Sequence, residues 1–559
     1  MNKGNLVKIV LLIAIMLQSQ IEIRGSSMLI DTNSNTLESE SITITVEREG
    51  DWSTHITSAG DVNADGIDDI IVGVRYDDEG GSSAGQAYLI FGKNKWQGFD
   101  LSQADASFIG EMSNDWLGST ASGVGDINQD GFDDFILAAL LNSEAGTNAG
   151  QSYLFMGKST SWNSDTPVEN ADASFQGENN YDLAHGVYHL GDVNGDGFDD
   201  FLLPGYKNSE AGSYAGQVYL FLGSSNLPWT MDTSLGSANA SYLGRENTIL
   251  GIDAAGIGDI NGDGYNDFAM GSQGNVCWCS DTVSKDGPRI VDIVFGKPTG
   301  WNMDNPIADA NITITSEKDN PIVYDASFSW ISGVGDVNND GLDDFVVGSY
   351  TDDTIAKDSG SVHLFFGKKN WNRDYALNES DVSFYGKIEN TWAGFSVAGV
   401  NDVNGDNYDD FLIGAPHSFG IEWCCSRITR NPDFAGEAYL ILGRDDWTAS
   451  SILEDNFIAI KGYNESAFGY HLEGLGDINA DGLADFGIST IGIGDLTSSN
   501  PKGAVRIYFG SNTLNSQSTL SDRSDADTAL TSKSSKSTFL WIVPWLLILY
   551  PLWKSQKKQ

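Results

Sequence analysis

Seven times the 559-residue chain writes a nine-residue run close to Asp-x-Asn-x-Asp-Gly-x-x-Asp, beginning at Asp61, Asp126, Asp192, Asp259, Asp336, Asp402 and Asp477. In the first copy, oxygen-bearing side chains stand at positions 1, 3, 5 and 9 as Asp61, Asn63, Asp65 and Asp69, and Gly66 at position 6 supplies the freedom in φ that a tight turn needs. Alternate residues on a sharply turned loop converge on one point. Three carboxylates, one amide oxygen and the carbonyl of position 7, here Ile67, make with a water an all-oxygen donor set, which suits Ca²⁺ and not Zn²⁺ or Cu²⁺.

The later copies supply Asp126, Asn128, Asp130, Phe132 and Asp134; Asp192, Asn194, Asp196, Phe198 and Asp200; and Asp259, Asn261, Asp263, Tyr265 and Asp267. They continue with Asp336, Asn338, Asp340, Leu342 and Asp344; Asp402, Asn404, Asp406, Tyr408 and Asp410; and Asp477, Asn479, Asp481, Leu483 and Asp485. The sixth copy has Asn407 at position 6, a residue that still enters the left-handed region, so up to seven Ca²⁺ sites are expected. One such nonapeptide alone is more often a solvated turn; seven on a period of 65 to 77 residues are not. An EF-hand is excluded because position 12 is Val72 in the first copy and Leu137 in the second, where a bidentate Glu is required.

The formal charge of −47 excludes nucleic acid as a partner, since phosphates would be repelled, and makes cations the expected ones. The motifs hold 26 of the 78 acidic residues, counting five further Asp at position 8, so an acidic surface has to account for the rest.

Each motif leads into a short apolar run ended by Gly, Ala or Pro, such as Asp-Ile-Ile-Val-Gly from Asp69, which reads as a buried strand and not a helix. Each period reads as four strands; in the second they are 120–125, 134–139, 151–156 and 173–177, with the acidic loop joining the first two. Sixty-four Gly and only 12 Pro fit a turn-rich all-β chain, and seven four-stranded units without helical patterning predict a seven-bladed β-propeller over residues 41–512. The last period supplies strand 3 at 504–509 and then turns polar. The alternating run Ser41 to Val46 is therefore expected to complete blade 7 and remove the open edge.

The run Gly-Asp-Val-Asn-Gly-Asp-Gly-Phe-Asp-Asp-Phe-Leu at 191–202, with Phe91-Gly92 and Gly414-Ala415-Pro416, resembles the FG-GAP repeats of integrin α-subunit propellers. That resemblance implies Ca²⁺ held in the strand 1 to strand 2 hairpins and a role in extracellular recognition and adhesion. The sequence departs from integrins in carrying the acidic motif in every period and in showing no counterpart of their stalk domains or inserted adhesion domain, so pairing with a β-like subunit does not carry over.

The flanks are expected to place the propeller outside the cell. Lys3 and Lys8 flank an apolar run, 9–17, that suits a signal peptide over 1–25, with a linker at 26–40 after it. Residues 513–537 read as a Ser/Thr-rich stalk, 538–553 as an aromatic-rich single-pass anchor interrupted by Pro544 and Pro551, and 554–559 as a basic cytoplasmic tail. At roughly 22 Å of helix the anchor is short for a bilayer, which also allows a processed signal.

Strand direction puts the inter-blade and strand 2 to strand 3 loops on the face away from the acidic loops, and that face is the expected ligand surface. Trp52, Trp116, Tyr181 and Trp392 enter blades there and serve either ligand contact or blade packing. Cys277, Cys279, Cys424 and Cys425 suit disulfides between two long loops, or a four-thiolate Zn²⁺ site. Asn239, Asn311, Asn378 and Asn464 begin glycosylation sequons. No catalytic residues are expected: Gly81-Ser82-Ser83-Ala84-Gly85 matches a nucleophile pattern but precedes a strand, and His185 and His189 read as packed. The favoured function is a Ca²⁺-binding adhesion or recognition module for protein or glycan. The alternative is an accessory propeller of a hydrolase acting on surface polysaccharide or lipid.

Overall fold

A computed structural model of the chain describes residues 41–521, apart from 49–50, 52–54, 181, 183–185, 274–288, 317–329, 418–419, 423–426, 430–434, 463–466, 494–501 and 516–519. Seven antiparallel sheets stand around a central channel, each with its first strand innermost. In blade 2 the strands are Leu117–Gly125, Asp134–Ala139, Gln151–Phe155 and Ala173–Gln176, and the acidic loop joins the first two.

Second strands such as Asp69–Val74 and Asp200–Gly205 are buried at every residue, as are third strands such as Gln86–Ile90. Their apolar runs do not alternate because both faces of each sheet are covered by the neighbouring blades. Cross-strand rings reinforce the layers: Phe201 faces Phe221 at a centroid distance of 5.3 Å, and Phe345 faces Phe365 at 5.3 Å. The apolar core is therefore a series of inter-blade layers. One layer joins Ile71, Leu89 and Phe108 of blade 1 to Phe135, Leu137 and Phe155 of blade 2.

The alternating N-terminal run closes the ring. Ser41–Thr45 pairs antiparallel with the third strand of blade 7, Ile44 opposite Val505, and its Ile44 and Val46 join Ile70 and Val72 of blade 1 in the layer that seals the seam.

The expectation of four strands per blade is exceeded. A parallel fifth strand, of two residues in six blades and three at Ser450–Ile452, covers each outer edge: Phe99–Asp100 lies on Ser41–Thr45, and Thr166–Pro167 lies on Ala106–Ile109 of the preceding blade. Six of these short strands lie in the strand 3 to strand 4 connection of the next blade and the seventh, Leu520–Ser521, follows strand 3 of blade 7, and they cover the outer edges. Two or three residues are too few for a period-2 signal, which is why the sequence does not display them.

Candidate metal centres

A β-bulge ends every first strand, with a register shift such as Ser58/Gly60 or Gly474/Gly476 placing the chain in positive φ immediately before the acidic loop. Within the loop, Asp61 Oδ1 accepts the N–H of Asp65 (2.9 Å) and Oδ2 that of Gly66 (2.8 Å), while Asp65 Oδ1 accepts from Ile67 N (3.1 Å). Loop 3 repeats this with Asp192 taking Asp196 N and Gly197 N, and loop 6 repeats it with Asn407, at φ +67, in the glycine slot. The side chains at positions 1 and 5 are thereby held by the turn itself and reach its exposed side.

Position 9 is different in kind. All seven Asp there are fully buried. Each accepts at Oδ1 the N–H of the second residue after strand 3: Asp69 from Gly92 (2.9 Å), Asp134 from Gly157 (2.8 Å) and Asp485 from Gly510 (2.8 Å). Glycine is needed at this position because a Cβ at Gly92 would strike the Asp68 carbonyl oxygen. Burial, and then the carboxylates at positions 5 and 1, push Asp69 and Asp134 up to about 8. In loop 2, Asp134 Oδ2 and Asn128 Oδ1 are buried without a hydrogen-bond partner. Mutually repelling carboxylates and two orphaned acceptors at positions 9 and 3 fit a hard cation, whose charge and coordination would satisfy both. Among the described residues no three His, Cys, Asp or Glu side chains already converge at metal-binding distance.

The loops touch one another around the ring. The residue after each Phe-Gly-type glycine donates to the position 2 carbonyl of the preceding loop, as Lys93 N does to Ile478 O (2.9 Å) and Lys158 N to Val62 O (2.9 Å). Position 8 side chains point across the same boundary: Asp133 Oδ2 accepts the N–H of Asp61 (2.8 Å).

On the opposite face, Trp116 is half-buried, edge-on to Tyr76 of blade 1 at 5.4 Å and beneath the Arg75 guanidinium. Trp392 stacks on Phe395 at 5.8 Å and meets Tyr350 of blade 5. Both therefore bridge blades. Trp52, Tyr181, all four Cys and Asn464 lie outside the described residues, as do the N-terminal 40 residues and the expected anchor; among the described residues no helix is long and apolar enough to cross a membrane. Asn239, Asn311 and Asn378 are exposed. Ser83, the centre of the nucleophile-like pattern, lies at φ +50 in a turn before a strand.

One group escaped the sequence reading. His55 and His471 stack at 4.3 Å in the central channel, each donating from Nε2 to a carbonyl of the next blade, Ala121 O (3.1 Å) and Ile56 O (2.9 Å). Glu473 accepts from Thr57 beside them, and burial pushes it up to about 8. Only the ring closure brings these residues together, and no local spacing announces it.

A model of the FG-GAP repeat matches residues 54–90, 118–155, 189–221, 328–365 and 393–441, which fall on blades 1, 2, 3, 5 and 6. Integrin alpha-V of Gallus gallus is 27% identical over 282 residues, covering 49% of this chain and 24% of that protein. Integrin alpha-PS2 of Drosophila melanogaster is 31% identical over 177 residues, 29% of this chain and 11% of that protein. Phosphatidylinositol-glycan-specific phospholipase D of Bos taurus is 29% identical over 231 residues, 40% and 25% respectively. The chain spans about a quarter or less of the length of these relatives.

Proposed function

We propose, for a chain that is an FG-GAP repeat protein with an integrin-alpha-like propeller, a Ca²⁺-loaded recognition module at the cell surface that binds an extracellular protein or glycan through the face away from its acidic loops. Positions 1, 3, 5 and 9 and the carbonyl of position 7 hold the cations, as Asp126, Asn128, Asp130, Asp134 and Phe132 O do in loop 2. The ions serve the scaffold, pinning the hairpins of one rim.

The observation that carries the recognition reading is the placement of exposed apolar side chains. Among the described residues the large ones are Met112 (67% exposed), Tyr214 (41%), Ile355 (48%) and Ile388 (44%), and all four stand on inter-blade or strand 2 to strand 3 connections of the face away from the loops. None lies on the cation rim. The test is capture of ligands from a glycan array and from cell-surface proteins by the calcium-loaded chain. Binding that survives Ile355→Asp with Ile388→Asp but disappears on blocking the loop rim would reverse the assignment of faces.

The phospholipase relative supports a second reading, in which the propeller is the accessory domain of a hydrolase acting on surface lipid or polysaccharide. Hydrolysis of glycosylphosphatidylinositol or polysaccharide substrates by the purified chain would favour it; ligand capture without turnover favours the first.

A further inference from the structure

The position 8 residues form a pattern that the cation ligands do not use. Asp68 accepts the N–H of Asp477 (2.8 Å), Asp133 that of Asp61 (2.8 Å) and Asp199 that of Asp126 (3.1 Å). Asp343 likewise accepts from Asp259 (2.7 Å) and Asp409 from Asp336 (2.9 Å). In each case a carboxylate of one blade caps the backbone of the first ligand of the preceding blade's loop. Two boundaries differ. Between blades 4 and 3 the residue is Asn266, whose Nδ2 donates to Leu190 O (3.2 Å). Between blades 7 and 6 it is Ala484, which has no side-chain cap to offer and donates only its backbone N–H, to Asp402 O (3.2 Å).

A second feature changes at the same place. The residue before position 1 is glycine in six loops, and a Cβ there would collide with the capping side chain: Gly60 with Asp133, Gly125 with Asp199, Gly258 with Asp343, Gly335 with Asp409, Gly476 with Asp68 and Gly191 with Asn266. The seventh is Asn401, at φ +54, next to Asp402, whose carbonyl accepts from Ala484 N. Glycine thus occurs wherever a capping side chain occupies the space, and a side chain occurs where none does.

We propose that the position 8 aspartates are positioning residues that couple cation loading between neighbouring loops, dividing the ring into two linked arcs, loops 7-1-2-3 and loops 4-5-6. This coupling rests on the cation reading of the loops. Each Asp at position 8 lies between the position 7 carbonyl and the position 9 carboxylate of its own loop, so a cation bound there fixes its backbone. The fixed carboxylate then holds the amide of the preceding loop's first ligand, and that loop loses less conformational entropy when it loads. The boundary at Ala484 keeps only backbone bonds, Ala484 N to Asp402 O and Ser511 N to Val403 O, and that at Asn266 adds to its own backbone bonds a neutral side-chain bond to a carbonyl outside the loop.

The deciding experiment restores the missing cap in the full chain. Asn401→Gly, Ala484→Asp and the double variant are titrated with Ca²⁺, following hydrogen exchange of amides 402–407 and 477–482 and, as a control in the other arc, 61–66 against 336–341 in Asp133→Ala. The double variant is expected to shift the Ca²⁺ midpoints of loops 6 and 7 to lower concentration by the same factor, about tenfold within the range of 5- to 150-fold found for coupled sites, because linkage is reciprocal. Ala484→Asp alone is expected to shift neither, since Asn401 occupies the space. In Asp133→Ala the loop 1 midpoint is expected to rise while loop 5 stays unchanged. Normal Ca²⁺ stoichiometry with unshifted midpoints in the double variant overturns the coupling. A wild-type chain that takes up no Ca²⁺ overturns the cation reading instead.

Discussion

The two faces of the propeller obey different rules. On the acidic rim the same bonds recur blade after blade, from the carboxylate of position 9 to the Phe-Gly amide and from the following residue to the neighbouring loop. On the opposite face and in the channel each blade differs: a Trp–Tyr–Arg contact at blades 1 and 2, an aromatic cluster of Tyr350, Phe395 and Tyr470 at blades 5 to 7, and a His pair at the seam. Repetition marks what every blade must do to hold its place. Variation marks where the molecule has room to recognise something.

The largest effect that separates the two is cation removal. Chelation is expected to lower the melting temperature steeply, because each loop loaded at a hundredfold excess over its Kd contributes about 2.7 kcal/mol to the folded state. Ligand-face variants should keep that response in full. A melting curve indifferent to EGTA would erase the distinction between the faces.

Within the rim, position 9 should outweigh position 5 even without cation. Asp134→Ala leaves the amide of Gly157 buried and unpaired and is expected to cost about 1–3 kcal/mol, whereas Asp130→Ala removes one acceptor on the exposed side of the turn and is expected to cost under about 1 kcal/mol. Urea unfolding in EGTA checks the order, and equal losses would contradict the burial argument.

The channel sets a pH dependence of its own. Glu473 is held neutral by burial, its folded value near 8 against 4.5 for an ordinary Glu. Its contribution is therefore complete below pH 4.5 and is lost as pH rises towards 8, because the unfolded chain ionises first. Relative to wild type, Glu473→Gln is expected to gain stability between about pH 5 and 8, with the difference level above that range and absent below it. His471, lowered to about 4 by burial, opposes this with stability lost as pH falls from 6.5. A constant difference in melting temperature from pH 4 to 9 would refute the assignment to Glu473.

The same contrast explains how much of the molecule was legible in the sequence. The loops and the main strands of each blade could be read because the nine-residue motif and the apolar run after it recur seven times, and the closure by Ser41–Thr45 because that run alternates. The fifth strands could not, being two or three residues long and defined by their partners. Asp at position 8 was visible as a count, but its role depends on a register between blades that only closing the ring creates. The same holds for His55 and His471, brought together across the seam.

The smallest expected effect on stability is the one that bears most directly on function. Ile388 is 44% exposed on the connection into blade 6, and no apolar layer between blades includes it. Replacing it with Asp exposes no cavity and buries no charge, so the change in stability is expected to stay within about 0.5 kcal/mol. An apolar side chain kept in water on a chain of net charge −47 does nothing for the fold, and its retention is explained if a partner covers it. Ile388→Asp should therefore weaken ligand capture at least tenfold while leaving Ca²⁺ stoichiometry and melting temperature unchanged. Surface plasmon resonance against the captured ligand, run beside a calcium titration, separates the outcomes: weaker binding with an intact rim assigns recognition to this face, and unchanged binding removes Ile388 from it.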